Sequence, residues 1–253
     1  MRWRIVACAF WSAVGYSLAM LANLLFAKAP ERRAHWRGVA FQLWSRRLLA
    51  VFGVRLRVAG SAPSPPFVLV SNHLTYLDIC TLGACLPCVF VAKGEIDGWP
   101  IFGSLCRSVG TVFVDRTVKR DIPRALGELE QAVAERRGIV IFAEGTTGSG
   151  ASILPFRSSF LDLPAKRELP VHWAAISYAT PGDDPPAALS VCWWGDMPFG
   201  AHVRELLKLD GIEATVTFGR EPMVDRDRKA LTARLHAEIA AAFTPIPQPS
   251  GEG

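Results

Sequence analysis

Phe67-Val68-Leu69-Val70-Ser71-Asn72-His73-Leu74-Thr75-Tyr76-Leu77-Asp78 is the stretch that decides the fold of this 253-residue chain. Its four leading apolar residues predict a buried strand, because a strand covered on both faces has no solvated side. The strand delivers a histidine, and an aspartate follows five residues later in the first turn of a predicted helix. Such a strand-to-helix passage is typical of parallel α/β sheets, which bind ligands at the carboxyl ends of their strands.

His73 and Asp78 have the residue types of a general base and its orienting partner. A neutral imidazole, with an ordinary pKa of ~6.5, accepts a proton when a carboxylate holds its other ring nitrogen in the donor tautomer. No serine or cysteine nucleophile accompanies them in a G-x-S-x-G turn. We therefore expect His73 to activate a hydroxyl for direct attack on an acyl carbon. The alternative is a structural pair at a helix start.

The same pattern of an apolar strand followed by a polar residue recurs along the chain. Lys93, Arg116 and Glu144 each follow a predicted strand, so we expect them to meet His73 at one sheet edge. Further strands are predicted at 54–58, 171–175, 189–194 and 212–218, the last at an edge, and helices at 75–86, 121–136 and 225–243. His172, within 171–175, is expected to be a packed core residue. The predicted fold class is α/β, a largely parallel sheet flanked by helices on both faces and preceded by two N-terminal membrane-associated helices.

Asn72-His73 and Asp78 form an N-H-x-x-x-x-D pattern that resembles the first motif of the PlsC-type, or lysophosphatidate, family of glycerolipid acyltransferases. Blocks at 110–116 and 142–147 follow in the family's order, and the resemblance spans 67–219. It implies an O-acyltransferase that moves a fatty acyl group from acyl-CoA or acyl carrier protein to the free hydroxyl of a lysolipid. The first expected acceptor is 1-acyl-glycerol-3-phosphate, which would give phosphatidic acid for phospholipid biosynthesis.

The resemblance also implies roles for individual residues. His73 and Asp78 are then catalytic, and the substrate-binding residues are Lys93, Arg116, Glu144, Gly145 and Thr146. Arg116 is associated with the acceptor's phosphate, and backbone N–H groups near Thr75 are expected to hold the oxyanion. No metal or bound cofactor is implied, because CoA or acyl carrier protein enters with the donor as co-substrate.

One departure from the family pattern bears on the acceptor. Thr147 stands where the family commonly has an arginine for the phosphate, and Arg157 is a substitute if its loop folds back. Residues 194–197 resemble a segment of bacterial members, some of which acylate lyso-ornithine lipids. Lyso-ornithine lipid or another lysolipid therefore stays open as the acceptor. If water replaces the lysolipid, the enzyme is a thioesterase or lipase.

The N-terminus is apolar and then basic. Residues 5–27 are uncharged and exceed the ~20 residues needed to cross a bilayer, and they are longer than the ~7–15 residues of a typical signal-peptide core. Residues 31–52 predict an amphipathic helix with interleaved arginines, which either lies at the lipid surface or packs on the core. The two helices either include a membrane span or form an embedded hairpin.

The net charge of +5 is concentrated at the N-terminus, where residues 1–57 hold ten basic side chains and one acid. This distribution favours membrane lipids over nucleic acid as the partner. We expect the active site to face the cytoplasm, at the bacterial inner membrane. Six cysteines, including Cys85 and Cys88 without a second pair, are typical of buried thiols in a reducing compartment.

The predicted organisation is an N-terminal membrane helix or hairpin at 1–53, an acyltransferase domain at 54–244 and a disordered tail at 245–253.

Overall fold

The computed structural model describes residues 2–100, 102–114 and 121–248. The strands are β1 (Val54–Ala59), β2 (Phe67–Ser71), β3 (Cys88–Lys93), β4 (Val112–Val114), β5 (Gly138–Phe142), β6 (Val171–Ala179) and β7 (Ile212–Phe218). The helices are α1 (Arg2–Leu25), α2 (Pro30–Phe52), α3 (Leu77–Cys85), α4 (Phe102–Val109), α5 (Asp121–Ala134), α6 (Asp162–Lys166), α7 (Ala187–Ser190), α8 (Phe199–Leu206) and α9 (Arg228–Ala242). Short 3₁₀ turns cover Gly94–Gly98 and Ser158–Leu161.

The strands form one mixed sheet in the order β1-β7-β6-β2-β5-β3-β4. β6, β2, β5, β3 and β4 run parallel, whereas β7 is antiparallel to β6 and carries β1 parallel to itself. Every residue of β2 and β5 is buried, so both faces of the sheet are covered at its centre. The predicted α/β class with a largely parallel sheet is confirmed, and the polar residues that follow β2, β5 and β3 lie at one edge.

Two strand predictions are wrong. Residues 189–194 form the end of α7 and the loop after it. Val191 and Cys192 in this loop are buried, and the Trp193 N–H donates to the Leu74 carbonyl. β7 is not an edge strand, because it lies between β1 and β6. Its alternating burial comes from helices that cover one face more fully than the other.

The N-terminal helices α1 and α2 form an antiparallel hairpin that packs on the domain. Gly15 lies against the Trp44 ring, where a Cβ atom would come within 2.9 Å of the indole. At the far end of the hairpin, the Arg4 guanidinium donates to the carbonyls of Leu207 and Leu209 at 2.9 and 2.8 Å. The hairpin is therefore joined to the domain at both the core and the rim.

The inner face of α2 belongs to the hydrophobic core. Phe41, Leu48, Leu49 and Phe52 are buried, and Gly83 of α3 gives room to Phe41. The structure thus shows α2 packed on the core along one side. The opposite side leaves large apolar residues exposed.

The length and apolar composition of α1 would allow it to cross a membrane. A signal sequence near an N-terminus meets the same two criteria. Only Ala19 and Ala22 of this helix are buried. Cys8 and Trp11 pack partly against the core, and most other large apolar residues of the helix are exposed.

Residues 245–248, assigned from sequence to a disordered tail, lie against the domain. The Ile246 N–H donates to the Gly150 carbonyl at 2.8 Å, and the Ile246 side chain is buried. Gly150 has a positive φ of 85°, and a Cβ there would meet Ile246 at 2.6 Å. The described end of the chain is therefore packed on the loop that follows β5.

Candidate active site

The site is built where β2 and β5 end side by side. Ser71 pairs with Phe142 in the parallel ladder, so His73 and Glu144 each stand two residues beyond the same level of the sheet. The Glu144 carboxylate accepts a hydrogen bond from the His73 N–H at 3.2 Å. The Gly148 N–H donates in turn to the His73 carbonyl at 2.9 Å. The two strand ends are thereby joined around the histidine.

The structure brings His73 and Asp78 together. The distance from His73 Nδ1 to Asp78 Oδ2 is 2.7 Å, within normal hydrogen-bond range. A carboxylate only accepts, so Nδ1 carries the proton and Nε2 keeps its lone pair. The His73 side chain is 19% exposed, whereas Asp78 is fully buried. The imidazole can be reached by a substrate, and its partner cannot.

Phe142 fixes the plane of the imidazole. The two rings stack with centroids 3.9 Å apart and planes 7° from parallel. Phe90 stacks on the other side of Phe142 at 5.6 Å. The His73 ring therefore lies on an aromatic layer that β5 and β3 supply.

Asp78 accepts more hydrogen bonds than the sequence indicates. Its Oδ2 also accepts from the N–H groups of Leu74 and Thr75 at 2.6 and 3.0 Å, and its Oδ1 accepts from the Tyr178 hydroxyl at 2.8 Å. The expectation that N–H groups near Thr75 hold the oxyanion is wrong for these two groups, because Asp78 occupies them. They hold the carboxylate instead.

Glu144 is 3% exposed and sits behind His73. Burial raises the pKa of its carboxyl to about 8. The hydrogen bond from the His73 N–H lowers this pKa by a smaller amount, and the negative charge of nearby Asp78 raises it further. Gly145 turns the chain immediately afterwards, with a φ of 73° that favours glycine. Thr146, beyond the turn, is exposed.

The other predicted site residues lie farther away or outside the described part. Lys93 ends β3 and is exposed, two strands from β2 and so roughly 10 Å across the sheet. Arg116 lies outside the described residues. The loop bearing Arg157 does fold back, since the Arg157 N–H donates to the Ala143 carbonyl at 2.8 Å. His172 is half-buried near the amino end of β6, whereas the site lies at the carboxyl ends of the strands. Burial lowers the pKa of His172.

Sequence reasoning missed two residues that shape the site. The Asn72 side chain bonds both backbone groups of Ile176, donating at 2.9 Å and accepting at 2.8 Å. Tyr178, two residues farther along β6, reaches Asp78. Asn72 stands in the quoted motif, but Tyr178 is 100 residues from its partner and has no local signal.

An aromatic group lies beside the site. Tyr76 packs against Trp193 and Phe199 with ring centroids 6.0 and 5.1 Å apart, and its hydroxyl lies 3.0 Å from His202 Nδ1. Trp99, after β3, contacts the Phe199 ring at 6.0 Å and is 39% exposed. Segments that follow β2, β3 and β6 thus form one aromatic cluster, which includes Tyr76, three residues after His73.

A cavity of about 510 Å³ opens near the carboxyl ends of β3 and β4. Within it Arg107 pairs with Asp97, and Arg124 pairs with Glu128. The full lining is Gly94, Asp97, Arg107, Thr111, Phe113, Arg124 and Glu128. Across the part of the chain that the structure describes, no three His, Cys, Asp or Glu side chains are grouped to hold a metal ion.

Comparisons with known proteins place this geometry in context. The sequence model of the family described as Acyltransferase matches residues 55–177. The chain is 30% identical to a lyso-ornithine lipid O-acyltransferase of Brucella abortus, over 90% of each chain. A protein of the same name from Rhodobacter capsulatus is 29% identical over 90% of this chain and 87% of its own.

Two further matches are to proteins named for an acylated glycerophosphate acceptor. A 1-acyl-sn-glycerol-3-phosphate acyltransferase of Neisseria meningitidis is 34% identical over 45% of this chain and 46% of its own. The crystal structure of the 1-acyl-sn-glycerophosphate acyltransferase PlsC from Thermotoga maritima superposes with a TM-score of 0.61. It covers 97% of this chain and 100% of the other at 16% identity, a similarity of fold alone.

Proposed function

Because this chain belongs to the acyltransferase family that includes lysolipid O-acyltransferases, we propose that it transfers a fatty acyl group to the free hydroxyl of lyso-ornithine lipid. The observation that carries the proposal is the contact between His73 and Asp78 at a sheet edge that a hydroxyl can reach. The relatives that match nearly the whole chain bear this acceptor in their names.

The site residues support direct transfer. His73 Nε2 removes the hydroxyl proton while the oxygen attacks the thioester carbon, and Asp78 stabilises the imidazolium that forms. The tetrahedral intermediate then collapses, the C–S bond breaks, and the leaving thiolate takes the proton from His73. A thiolate is a good leaving group, so no stronger acid is needed. Acyl-CoA or acyl carrier protein brings the donor.

Charge near the site favours an ornithine head group. A lysolipid built on ornithine carries one carboxylate and one amine, whereas 1-acyl-glycerol-3-phosphate carries a phosphate with up to two negative charges. Among the described residues, the cavity beside β3 and β4 is lined by two arginines that pair with two carboxylates, and such a balanced set suits a zwitterion. Thr147 in place of an arginine points the same way.

The second candidate acceptor is 1-acyl-glycerol-3-phosphate. It is favoured by the 34% identity, over 116 residues, to a 1-acyl-sn-glycerol-3-phosphate acyltransferase and by Arg116, whose guanidinium suits a phosphate. Lys93 and Arg157 are further cations at this end of the sheet.

The N-terminal hairpin supports action at a membrane. α1 and α2 expose apolar residues beside arginines, the arrangement of an interfacial anchor. We place the site on the cytoplasmic side of the bacterial inner membrane, where acyl-CoA and acyl carrier protein are found.

The test is an acceptor panel on purified protein, with lipid products identified by mass spectrometry. Lyso-ornithine lipid and 1-acyl-glycerol-3-phosphate are each offered with acyl-CoA and with acyl carrier protein. We expect wild type to acylate lyso-ornithine lipid preferentially and His73→Ala to lose at least a hundredfold in rate. His172→Gln, half-buried on β6, is the matched control that keeps activity.

Three outcomes contradict parts of the proposal. Preference for the phosphorylated acceptor would show that the natural acceptor carries a phosphate and not an ornithine head group. Release of free fatty acid without a new lipid would identify a thioesterase. Full activity of His73→Ala would remove this histidine from the mechanism.

A further inference from the structure

We propose that Tyr178 is a positioning residue for the acyl transfer, since its hydroxyl holds one oxygen of Asp78 so that the other faces His73. The inference rests on the proposed function and adds to it a residue far from the family-like motifs in sequence.

The two oxygens of Asp78 have separate partners. Oδ2 meets His73 Nδ1 at 2.7 Å and the N–H groups that begin the turn into α3. Oδ1 meets the Tyr178 hydroxyl at 2.8 Å. Two oxygens held at different points fix the plane of the carboxylate, which a single contact with His73 would not do.

The hydrogen bonds around Tyr178 run in one direction. A phenol has one proton, and it goes to the carboxylate, which only accepts. The Thr81 hydroxyl, 2.9 Å from the Tyr178 oxygen, must therefore donate to it. Burial, with the nearby Asp78, raises the pKa of Tyr178 well above its usual value, so the phenol keeps its proton at neutral pH.

Asn72 explains how β6 reaches Asp78. The backbone pairing of β2 with β6 ends at Ser71 and Ala174. Beyond this point the Asn72 side chain bonds both backbone groups of Ile176, two residues before Tyr178. The amide thus extends the ladder and places the tyrosine over the carboxylate.

Loss of the hydroxyl would leave Asp78 Oδ1 without this donor at a site that excludes water. A buried carboxylate oxygen then turns toward another donor, and the contact with His73 turns with it. Tyr178 is 4% exposed and contacts the buried Asp78, whereas His73 is the member of the pair that a substrate can reach. The change should therefore lower kcat and leave the KM values of donor and acceptor unchanged.

The experiment compares Tyr178→Phe with wild type in steady-state acyl transfer. We expect kcat to fall roughly ten- to a hundredfold, the effect of one hydrogen bond to a buried charge. His172→Gln, the control variant of the acceptor panel, should keep wild-type kcat. Thr81→Val, which leaves the bond between Tyr178 and Asp78 intact, should lose less than Tyr178→Phe.

Two readouts separate positioning from a structural role. The titratable groups in contact with His73 are Asp78, at its ring, and Glu144, at its N–H. When the phenol is removed and the Asp78 carboxylate turns away, less negative charge faces the imidazole, so the acidic limb of the kcat profile should move to lower pH. In protein labelled with ¹⁵N-histidine, the His73 signals should show Nδ1 protonated in wild type and mixed tautomers in Tyr178→Phe. His73→Ala assigns those signals.

A lower melting temperature with unchanged kcat, pH profile and tautomer would overturn the inference. If wild type transfers no acyl group, the proposed function fails. The tautomer measurement still decides the role of Tyr178, because it needs no substrate.

Discussion

Glu144 is the residue whose protonation the fold controls most clearly. Its carboxyl is almost fully buried, and burial raises its pKa to about 8, so it keeps its proton through neutral pH. In the unfolded chain the same group has a pKa near 4.5. The contribution of Glu144 to stability is therefore complete below pH 4.5 and is lost as the pH rises through 8.

This linkage predicts the effect of Glu144→Gln. Wild type should lose stability from about pH 5 to pH 8, because its unfolded state ionises while the folded carboxyl stays protonated. The glutamine has no proton to lose, and its carbonyl still accepts from the His73 N–H. Melting temperatures measured from pH 5 to pH 9 should therefore fall less for Glu144→Gln. Equal slopes would show that Glu144 is ionised in the folded protein.

At the scale of residues, sequence reasoning succeeds where partners are local. His73 and Asp78 are five residues apart across a helix start, so their spacing alone brings them within reach. It fails where a group serves a partner that only the fold supplies. The N–H groups of Leu74 and Thr75 look available in sequence, yet Asp78 occupies both.

Among the elements, α2 and α5 meet at a group of arginines. Arg33 and Arg137 form ion pairs with Glu135, and Arg37 lies near the same carboxylate. The Arg37 and Arg137 side chains pack over Gly110. Burial, with Arg137 and Arg33 nearby, lowers the pKa of Arg37 to about 10. Gly110 belongs to the second family-like block, and its close packing gives a physical reason for a glycine there.

Glu135→Gln should weaken the contact between the hairpin and the domain. It removes the counter-charge from partly buried guanidinium groups, so we expect a loss of roughly 1–3 kcal/mol in the free energy of unfolding. Glu130→Gln in α5, five residues before Glu135, is the matched control, since its pair with Arg167 is exposed and contributes little. Denaturant unfolding in detergent measures both. Equal stabilities would mean that the arginines need no carboxylate.

Predicting elements from sequence depends on what each pattern reports. The apolar runs at β2 and β5 are found because strands buried on both faces have no polar positions. The run at 189–194 is equally apolar, but Pro185 and Pro186 precede it and the chain forms a helical turn. Alternation in β7 reports which face is covered and carries no information on neighbouring strands.

For the whole molecule, apolar surface and positive charge coincide on the N-terminal hairpin. Most of the exposed large apolar side chains in the described part lie on α1 and α2. A soluble domain seldom leaves so much apolar surface on one side. This side is the one that we expect to enter the membrane.

The double variant Leu21→Glu/Leu24→Glu tests this surface. The two leucines are 48% and 76% exposed and share one face of α1, so charges there should lower vesicle binding at least tenfold. Val58→Glu/Val224→Glu changes two apolar residues away from the hairpin that are 50% and 47% exposed, and this variant should bind as wild type does. Co-sedimentation with vesicles of anionic phospholipid gives both values. Similar losses in the two variants would place the lipid contact elsewhere.

Ile246 has a practical consequence for anyone who expresses this enzyme. Its side chain fills the space above Gly150, and the loop that contains Gly150 also carries Gly148, which bonds the His73 carbonyl. A purification tag inserted before Ile246 would remove this contact and loosen the loop that bonds the His73 backbone. The same tag added after Gln248 should leave the packing of Ile246 on Gly150 unchanged.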